Sequence, residues 1–318
     1  MKGLVLKQMR DMAPIVLFVY NRPDHTKRTV EALAKNKLAQ YSNLYIISDG
    51  YKDENQKDKV ISVREYIHSI ESKKMFKKVE VIENVKNKGL ATSIISGVSL
   101  ILNLYDKIIV LEDDLVVSSD FLEYMNRALI FYEKKNNVWS VSGYTPELYC
   151  LLKYDKDVYA SPRGCSWGWG TWKNRWCKVD WKVRDYELFK RNRKMKKEFL
   201  KGGPDMVKML EDQMNGKIDS WAIRWCYQEC KEQMITIYPR VSRVQNIGCD
   251  NTGTHCGYSN MYDVHLNNSL EKVIFVDAKV DKNIMKEFRL MYDYGITGSI
   301  KRHLYRIVST FFQHLLFL

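Results

Sequence analysis

Up to Leu111 the chain alternates between a continuous apolar rhythm and a helical one, and that alternation predicts a parallel sheet with helical crossovers. Pro14-Ile15-Val16-Leu17-Phe18-Val19-Tyr20 reads as a buried strand. Asn21-Arg22-Pro23 then turns it into a helix carrying Val30, Leu33, Ala34 and Leu38 on one face. Leu44-Tyr45-Ile46-Ile47 predicts a second strand, stopped by Ser48-Asp49-Gly50 and followed by a helix through Val60, Val63, Ile67 and Ile70. A third strand from Lys78 to Ile82 leads through the loop Asn84 to Gly89 into a helix from Leu90 to Leu104. The fourth strand, Lys107-Ile108-Ile109-Val110-Leu111, runs straight into Glu112-Asp113-Asp114. Ligands of open α/β sheets gather beyond the carboxyl ends of the strands, and the polar clusters at Asn21, Asp49 and Asp114 all fall there.

After Val141 the pattern becomes rich in tryptophan and loops, centred on Gly164-Cys165-Ser166-Trp167-Gly168-Trp169-Gly170-Thr171-Trp172. A basic helix is predicted from Tyr186 to Leu200, then a break at Gly202-Gly203-Pro204 and a further helix from Asp219. Without internal repeats or low-complexity segments, the expectation is one elaborated α/β domain with a mixed, mainly parallel sheet flanked by helices. Residues 13–142 would form its first half and 143–265 the substrate-shaping half, with 266–318 as an extension.

A chain of 318 residues buries about three quarters of its extended surface and needs no disulfide to hold a core. Its seven cysteines are therefore expected to be thiols, and their odd number, with no signal peptide, predicts a reducing cytosolic setting. The formal charge of +13 suits nucleic acid, anionic lipid or a phosphorylated substrate. Nine Lys/Arg stand against three acids between Lys182 and Lys201, without any zinc-finger, RNP or helix-turn-helix pattern, so a nucleic-acid partner is not expected. No apolar run reaches the roughly twenty residues of a membrane span. Residues 300–318 repeat Leu304, Ile307, Val308, Phe311, Phe312, Leu315 and Leu316 at helical spacing behind Lys301, Arg302 and Arg306. They are expected to lie on an anionic membrane, on the inner face of the cytoplasmic membrane, or to pack on protein.

Three consecutive acids at the end of an apolar strand repel and raise one another's pKa unless something positive joins them. A divalent cation of the Mg²⁺ or Mn²⁺ kind would resolve that cost, since it binds hard oxygens and bridges to substrate phosphates. The competing reading is a solvated acidic turn, with Asp120 capping the helix that follows.

Asn-Arg-Pro, Ser-Asp-Gly, Asn-Lys-Gly-Leu and Glu-Asp-Asp stand in this order after or between strands, followed by Ser119-Asp120-Phe121-Leu122. Later come Asp219-Ser220-Trp221-Ala222-Ile223-Arg224-Trp225, Tyr238-Pro239-Arg240-Val241-Ser242-Arg243 and Gly253-Thr254-His255. In this set the chain resembles GT-A glycosyltransferases, and more narrowly the family of N-acetylglucosaminyltransferase I and its bacterial relatives, over residues 13 to 265. The resemblance implies a nucleotide-sugar donor, expected to be UDP-linked, and Mn²⁺ or Mg²⁺ as cofactor. It also implies a saccharide or lipid-linked saccharide acceptor, expected in surface polysaccharide synthesis. By it, Tyr20, Asn21 and Arg22 line the nucleotide pocket with Arg22 near the diphosphate; Asp49 contacts the uracil or its ribose; Asn87-Lys88-Gly89 lies against the nucleoside. Asp114 would bind the metal directly, Asp113 and Glu112 the sugar or metal-bound waters, and His255 the metal or diphosphate. Asp219 is the expected catalytic base, with Glu211 and Asp212 as rivals and a helix N-cap as its alternative duty. Trp167 and Trp169 are expected on the acceptor side, core packing being the alternative. A sugar-nucleotide nucleotidyltransferase would share the sheet and acids, but it usually carries a glycine-rich phosphate loop after the first strand, where Asn21-Arg22-Pro23 has no glycine.

Overall fold

The computed structural model describes residues 12–251, 259–267 and 271–295, together with Gly298 and Ile300. Strands β1 (Ile15–Val19), β2 (Asn43–Ser48), β3 (Lys78–Glu83) and β4 (Lys107–Glu112) are connected by α1 (Pro23–Ala34), α2 (Glu54–Glu71) and α3 (Leu90–Leu102). They pair in parallel in the order β3-β2-β1-β4. The chain continues through β5 (Leu115–Val117), α4 (Phe121–Tyr132), β6 (Val138–Ser142), β7 (Val158–Ser161) and β8 (Trp169–Trp172). Five helices follow: α5 (Lys173–Trp176), α6 (Tyr186–Arg191), α7 (Arg193–Phe199), α8 (Met206–Met214) and α9 (Trp221–Lys231). After them come β9 (Ile235–Pro239), β10 (Val244–Asn246) and α10 (Lys282–Met291). The main sheet has eight strands in the order β3-β2-β1-β4-β8-β6-β9-β7, and β5 pairs with β10 in a separate antiparallel ribbon. Strand β8 runs antiparallel to both β4 and β6, so the expected mixed, mainly parallel α/β sheet is the one observed.

The run of β1 is uninterrupted because helices cover both faces of the sheet. Ile15, Leu17 and Val19 point to the layer holding Val30 and Leu33 of α1, Val63, Ile67 and Ile70 of α2, and the apolar face of α4. Val16 and Phe18 point the other way, to α3 and a block of tryptophans. Strand periodicity of two thus sorts one short run into two cores. In that block the Trp169 ring stacks on Trp221 and Trp176, at centroid distances of 5.0 and 5.8 Å, while Trp139 meets Trp225 at 4.4 Å.

Three expectations change. The basic helix from Tyr186 to Leu200 is two short helices, because the Asn192 side chain accepts from the Lys194 and Met195 backbone N–H groups and caps a fresh start. The described part of the C-terminal extension is built into the domain: Val273 and Ala278 join the α1/α2/α4 core, and Phe288 of α10 packs on Tyr159 and Tyr238. Cys249 is disulfide-bonded, contrary to the expectation of thiols throughout. Cys150, Cys165, Cys177, Cys226 and Cys230 are free. The amphipathic segment after Ile300 lies outside the described residues, and among those described no helix is long and apolar enough to cross a membrane.

Helices α6, α7, α8 and α9 share their own core of Phe189, Phe199, Met206, Leu210, Ile223 and Tyr227. At the inner side of α9, Glu229 is fully buried and accepts from the Thr236 hydroxyl at 2.7 Å, which in turn meets Ser140 at 2.7 Å. Burial pushes the Glu229 carboxyl up to about 8. A carboxyl raised on folding binds a proton that the unfolded chain has already released, so its contribution to stability falls as pH rises from about 4.5 towards 8. In Glu229→Gln the melting temperature should gain on wild type across that window, with the two nearly equal at pH 5 and furthest apart at pH 8. A constant offset at all pH values would show that Glu229 does not titrate in the folded protein.

Candidate active site

In the order β3-β2-β1-β4 the crossover direction reverses between β1 and β4, the point beyond whose carboxyl ends open α/β sheets take their ligands. Phe18 of β1 lies in register with Glu112 of β4, so Tyr20-Asn21-Arg22 and Glu112-Asp113-Asp114 emerge side by side. The Tyr20 backbone N–H donates to Asp113 Oδ2 at 3.2 Å, and the Thr29 hydroxyl of α1 donates to the Asp113 carbonyl at 2.8 Å. One Arg22 nitrogen, Nη2, bridges Asp113 Oδ1 and Asp114 Oδ2, at 2.5 and 2.9 Å. Its other terminal nitrogen, Nη1, is buried without a hydrogen-bond partner.

These groups are strongly coupled. Burial raises Glu112 to about 8, helped by the charges of Asp114 and Asp113 and opposed by Arg22. Burial also raises Asp113, to about 6, although Arg22 pulls it back. Desolvation works against the Arg22 charge, but Asp113 and Asp114 outweigh it and hold the guanidinium above its ordinary value. One cation is thus shared among three acids, a charge balance that a second cation would improve.

The ribbon of β5 and β10 closes the far side. Ile247 N–H donates to the Asp114 carbonyl at 2.8 Å, and a Cβ added at Gly248 would stand 2.1 Å from Asp114 Oδ2. Only glycine lets this backbone lie against the carboxylate. His25 of α1 holds the same loop, its Nε2 lying 3.3 Å from the Ile247 carbonyl and 3.1 Å from Asp250 Oδ2. Nothing in the sequence marked His25, a lone histidine in the first turn of a helix. Asp120, the expected helix cap, makes no cap bond; its carboxylate takes Ser118, Arg243 and Asn267 instead.

A second group forms beyond β2. Asp49 is buried, and its carboxylate accepts from the Lys88 N–H at 3.0 Å, the Gly89 N–H at 3.1 Å and the Asn84 side chain at 3.1 Å. Asn87 Nδ2 donates to the Gly50 carbonyl at 2.7 Å, and a Cβ on Gly50 would meet the Lys86 carbonyl carbon at 2.6 Å. Asp49 was expected to face the nucleoside, but both of its oxygens are engaged in holding the 84–89 loop against the end of β2. The arrangement positions Asn87, Lys88 and Gly89. Arg64 of α2 completes the clamp, donating to Ser48 and to the Asn84 carbonyl. Tyr20 is tied in as well, its hydroxyl donating to Gln56 and accepting from Lys52 N–H.

Asp219 reaches this loop: a Cβ on Gly89 would stand 3.6 Å from Asp219 Oδ2. Its side chain is 59% exposed and lies 3.7 Å from Arg224. The helix-cap duty belongs to its neighbour, since Ser220 Oγ accepts from the Ile223 N–H. Glu211 and Asp212 are held elsewhere, by Lys196 and by Lys208 with Lys217. Trp169 is fully buried in the tryptophan block, so it offers no face to an acceptor, and that expectation is corrected: a strand residue beside β4 points into the core whichever neighbours it has in sequence. Trp167 is partly buried, edge-on to Tyr144 and Tyr262 at 4.7 and 5.2 Å. Asn21 is also partly exposed, and His255 lies outside the described residues.

Acids, an arginine and a clamped loop thus stand at the reversal point of a parallel sheet, the place where open α/β sheets bind ligands. The GNT-I family model matches residues 1–147, which contain Arg22, the Glu112-Asp113-Asp114 cluster, Asp49 and the 84–89 loop. Over that stretch the chain is GNT-I-like, as its motifs implied. No curated protein matches. Solved structures with similar folds include a cytidylyltransferase from Leptospira borgpetersenii serovar Hardjo-bovis (strain JB197), at 13% identity and a TM-score of 0.32. That alignment covers 53% of this chain and 63% of the cytidylyltransferase, so the chain spans less than two thirds of that relative. Another is UDP-glucose pyrophosphorylase complexed with UDP-glucose, at 12% identity and a TM-score of 0.34, covering 72% of this chain and 90% of the other.

Asp49→Ala would leave the Lys88 and Gly89 amides without their acceptor. It should lower stability by roughly 2–4 kcal/mol in denaturant unfolding, with faster hydrogen exchange confined first to residues 84–89. Undiminished protection of the Lys88 and Gly89 amides would show that Asp49 is not the anchor.

Proposed function

We propose that this chain is an inverting glycosyltransferase that moves a sugar from a UDP-linked donor to a saccharide or lipid-linked saccharide hydroxyl. The observations that carry the reading are Arg22 bridging Asp113 and Asp114 where β1 and β4 end at the sheet's reversal point, and Asp219 lying beside the Gly89 loop. The GNT-I match over residues 1–147 supports the same class.

The residues present fit a divalent cation. Among the described residues no three His, Cys, Asp or Glu side chains gather into a cage. A site with one or two carboxylates that takes its remaining ligands from substrate phosphates and water is the Mg²⁺-like arrangement, and Asp114 with Asp113 supplies those carboxylates. The ion would supply Lewis-acid stabilisation of the charge growing on the departing diphosphate.

The protein's own groups divide the remaining work. Arg22, with Nη1 unpartnered, offers donors to the same diphosphate charge. The clamped 87–89 loop fixes the nucleoside side through backbone that does not need to reorganise on binding. Asp219, exposed and free of any helix-capping duty, takes the proton of the acceptor hydroxyl as that oxygen attacks the anomeric carbon from the face opposite the diphosphate. Trp167, partly exposed and held edge-on between Tyr144 and Tyr262, is the aromatic offered to the acceptor side.

Thermal unfolding with UDP, GDP or no nucleotide, each with Mn²⁺ or EDTA, tests the donor site. UDP with Mn²⁺ at a hundredfold its Kd should add about 2.7 kcal/mol of apparent stability, and Asp114→Ala should abolish the shift. No shift with any nucleotide on folded protein would end the donor-site reading. Asp219→Asn should keep the UDP shift while turnover falls by roughly a hundredfold or more. Turnover at the wild-type rate would remove Asp219 as the base.

A further inference from the structure

The helical lobe of α6 to α9 carries charge that the site does not use. On its outer surface Lys190, Arg193, Lys194 and Lys197 are exposed, and none of them forms an ion pair among the described residues. Arg191 has only Glu187 at 4.0 Å, and Lys201 is paired with Glu198. The Glu198 carboxyl is held below its usual value, first by its hydrogen bond from Lys201 and then by the charges of Lys201, Lys194 and Lys197. On the same helix as Lys190 one large apolar side chain, Leu188 of α6, is 61% exposed. The inner faces of the same helices are anchored through Phe189 and Phe199 on Tyr227 of α9, so the cations stand on a packed platform rather than on a loose loop.

We propose that the outer face of α6 and α7 is a docking surface for an anionic lipid bilayer, with Lys190, Arg193, Lys194 and Lys197 on the headgroups and Leu188 inserted between them. Charge complementarity selects an anionic partner, and the projecting leucine selects one with an apolar layer beneath its charged surface. Single-stranded nucleic acid is the poorer match, because such sites stack bases on exposed aromatics, whereas Phe189 is buried and Tyr186 stacks on it. The lobe packs on α9, and Asp219 lies just before the start of that helix. The inference stands without the donor-site reading and concerns a surface outside residues 1–147.

The test is co-sedimentation of the full chain with vesicles of phosphatidylcholine alone or mixed with phosphatidylglycerol. Wild type should bind only the mixed vesicles, more weakly as salt is added. Combining Lys190→Glu, Arg193→Glu, Lys194→Glu and Lys197→Glu, with residues 300–318 intact, should weaken that binding by at least about tenfold. Leu188→Asn alone should weaken it less and guards against a misfolded charge variant, as does an unchanged UDP shift. Equal binding to both vesicles, binding indifferent to these substitutions but lost on deleting residues 300–318, or retardation of RNA without vesicle binding would each overturn the proposal.

Discussion

The structure depends on how three consecutive carboxylates are kept at the end of a buried strand. Glu112, Asp113 and Asp114 follow an apolar run that holds β4 in the sheet, so they cannot move apart without breaking the strand that delivers them. Arg22 offsets part of their repulsion, and it can do so because β1 pairs directly with β4 and ends at the same level. Burial still raises Glu112 and Asp113. The site is therefore built with less positive charge than its acids call for.

Around that centre the fold uses backbone more than side chains. Gly248 brings the β10 loop against Asp114, and Gly50 brings the end of β2 against Lys86 and Asn87; in both places a methyl group would collide with its neighbour. Asp49 then fastens the 84–89 loop with three hydrogen bonds to its two oxygens. This end of the sheet is thus shaped before any ligand arrives, which lowers the ordering cost of binding one there.

The second half of the chain performs a different task. Its tryptophans weld β8 and α9 to the sheet. The α6 to α9 lobe keeps its own small core and leaves its cations outside. Asp219 stands at the junction of the two, where the start of α9 meets the Gly89 loop. The lobe's outer cations and the acid cluster are therefore structurally separate, with no ion pair between them among the described residues.

By itself the sequence determined the first four strands, their crossover helices and the polar clusters at the strand ends. Those features are local: a fully buried strand needs an unbroken apolar run, a helix needs its 3.6-residue stripe, and a charged tripeptide stands out against both. Tertiary structure decided what each polar residue does. Asp49 could have faced a ligand, but the parallel pairing of β2 with β3 places the 84–89 amides over its carboxylate. Trp169 looked suited to a sugar, but antiparallel pairing with Val110 turns its ring into the core. The break at Asn192 came from a local cap that helix periodicity had hidden. His25 and Gly248 were silent in the sequence because their importance lies wholly in which distant backbone passes by, and long-range contacts of that kind leave no periodic trace in a chain.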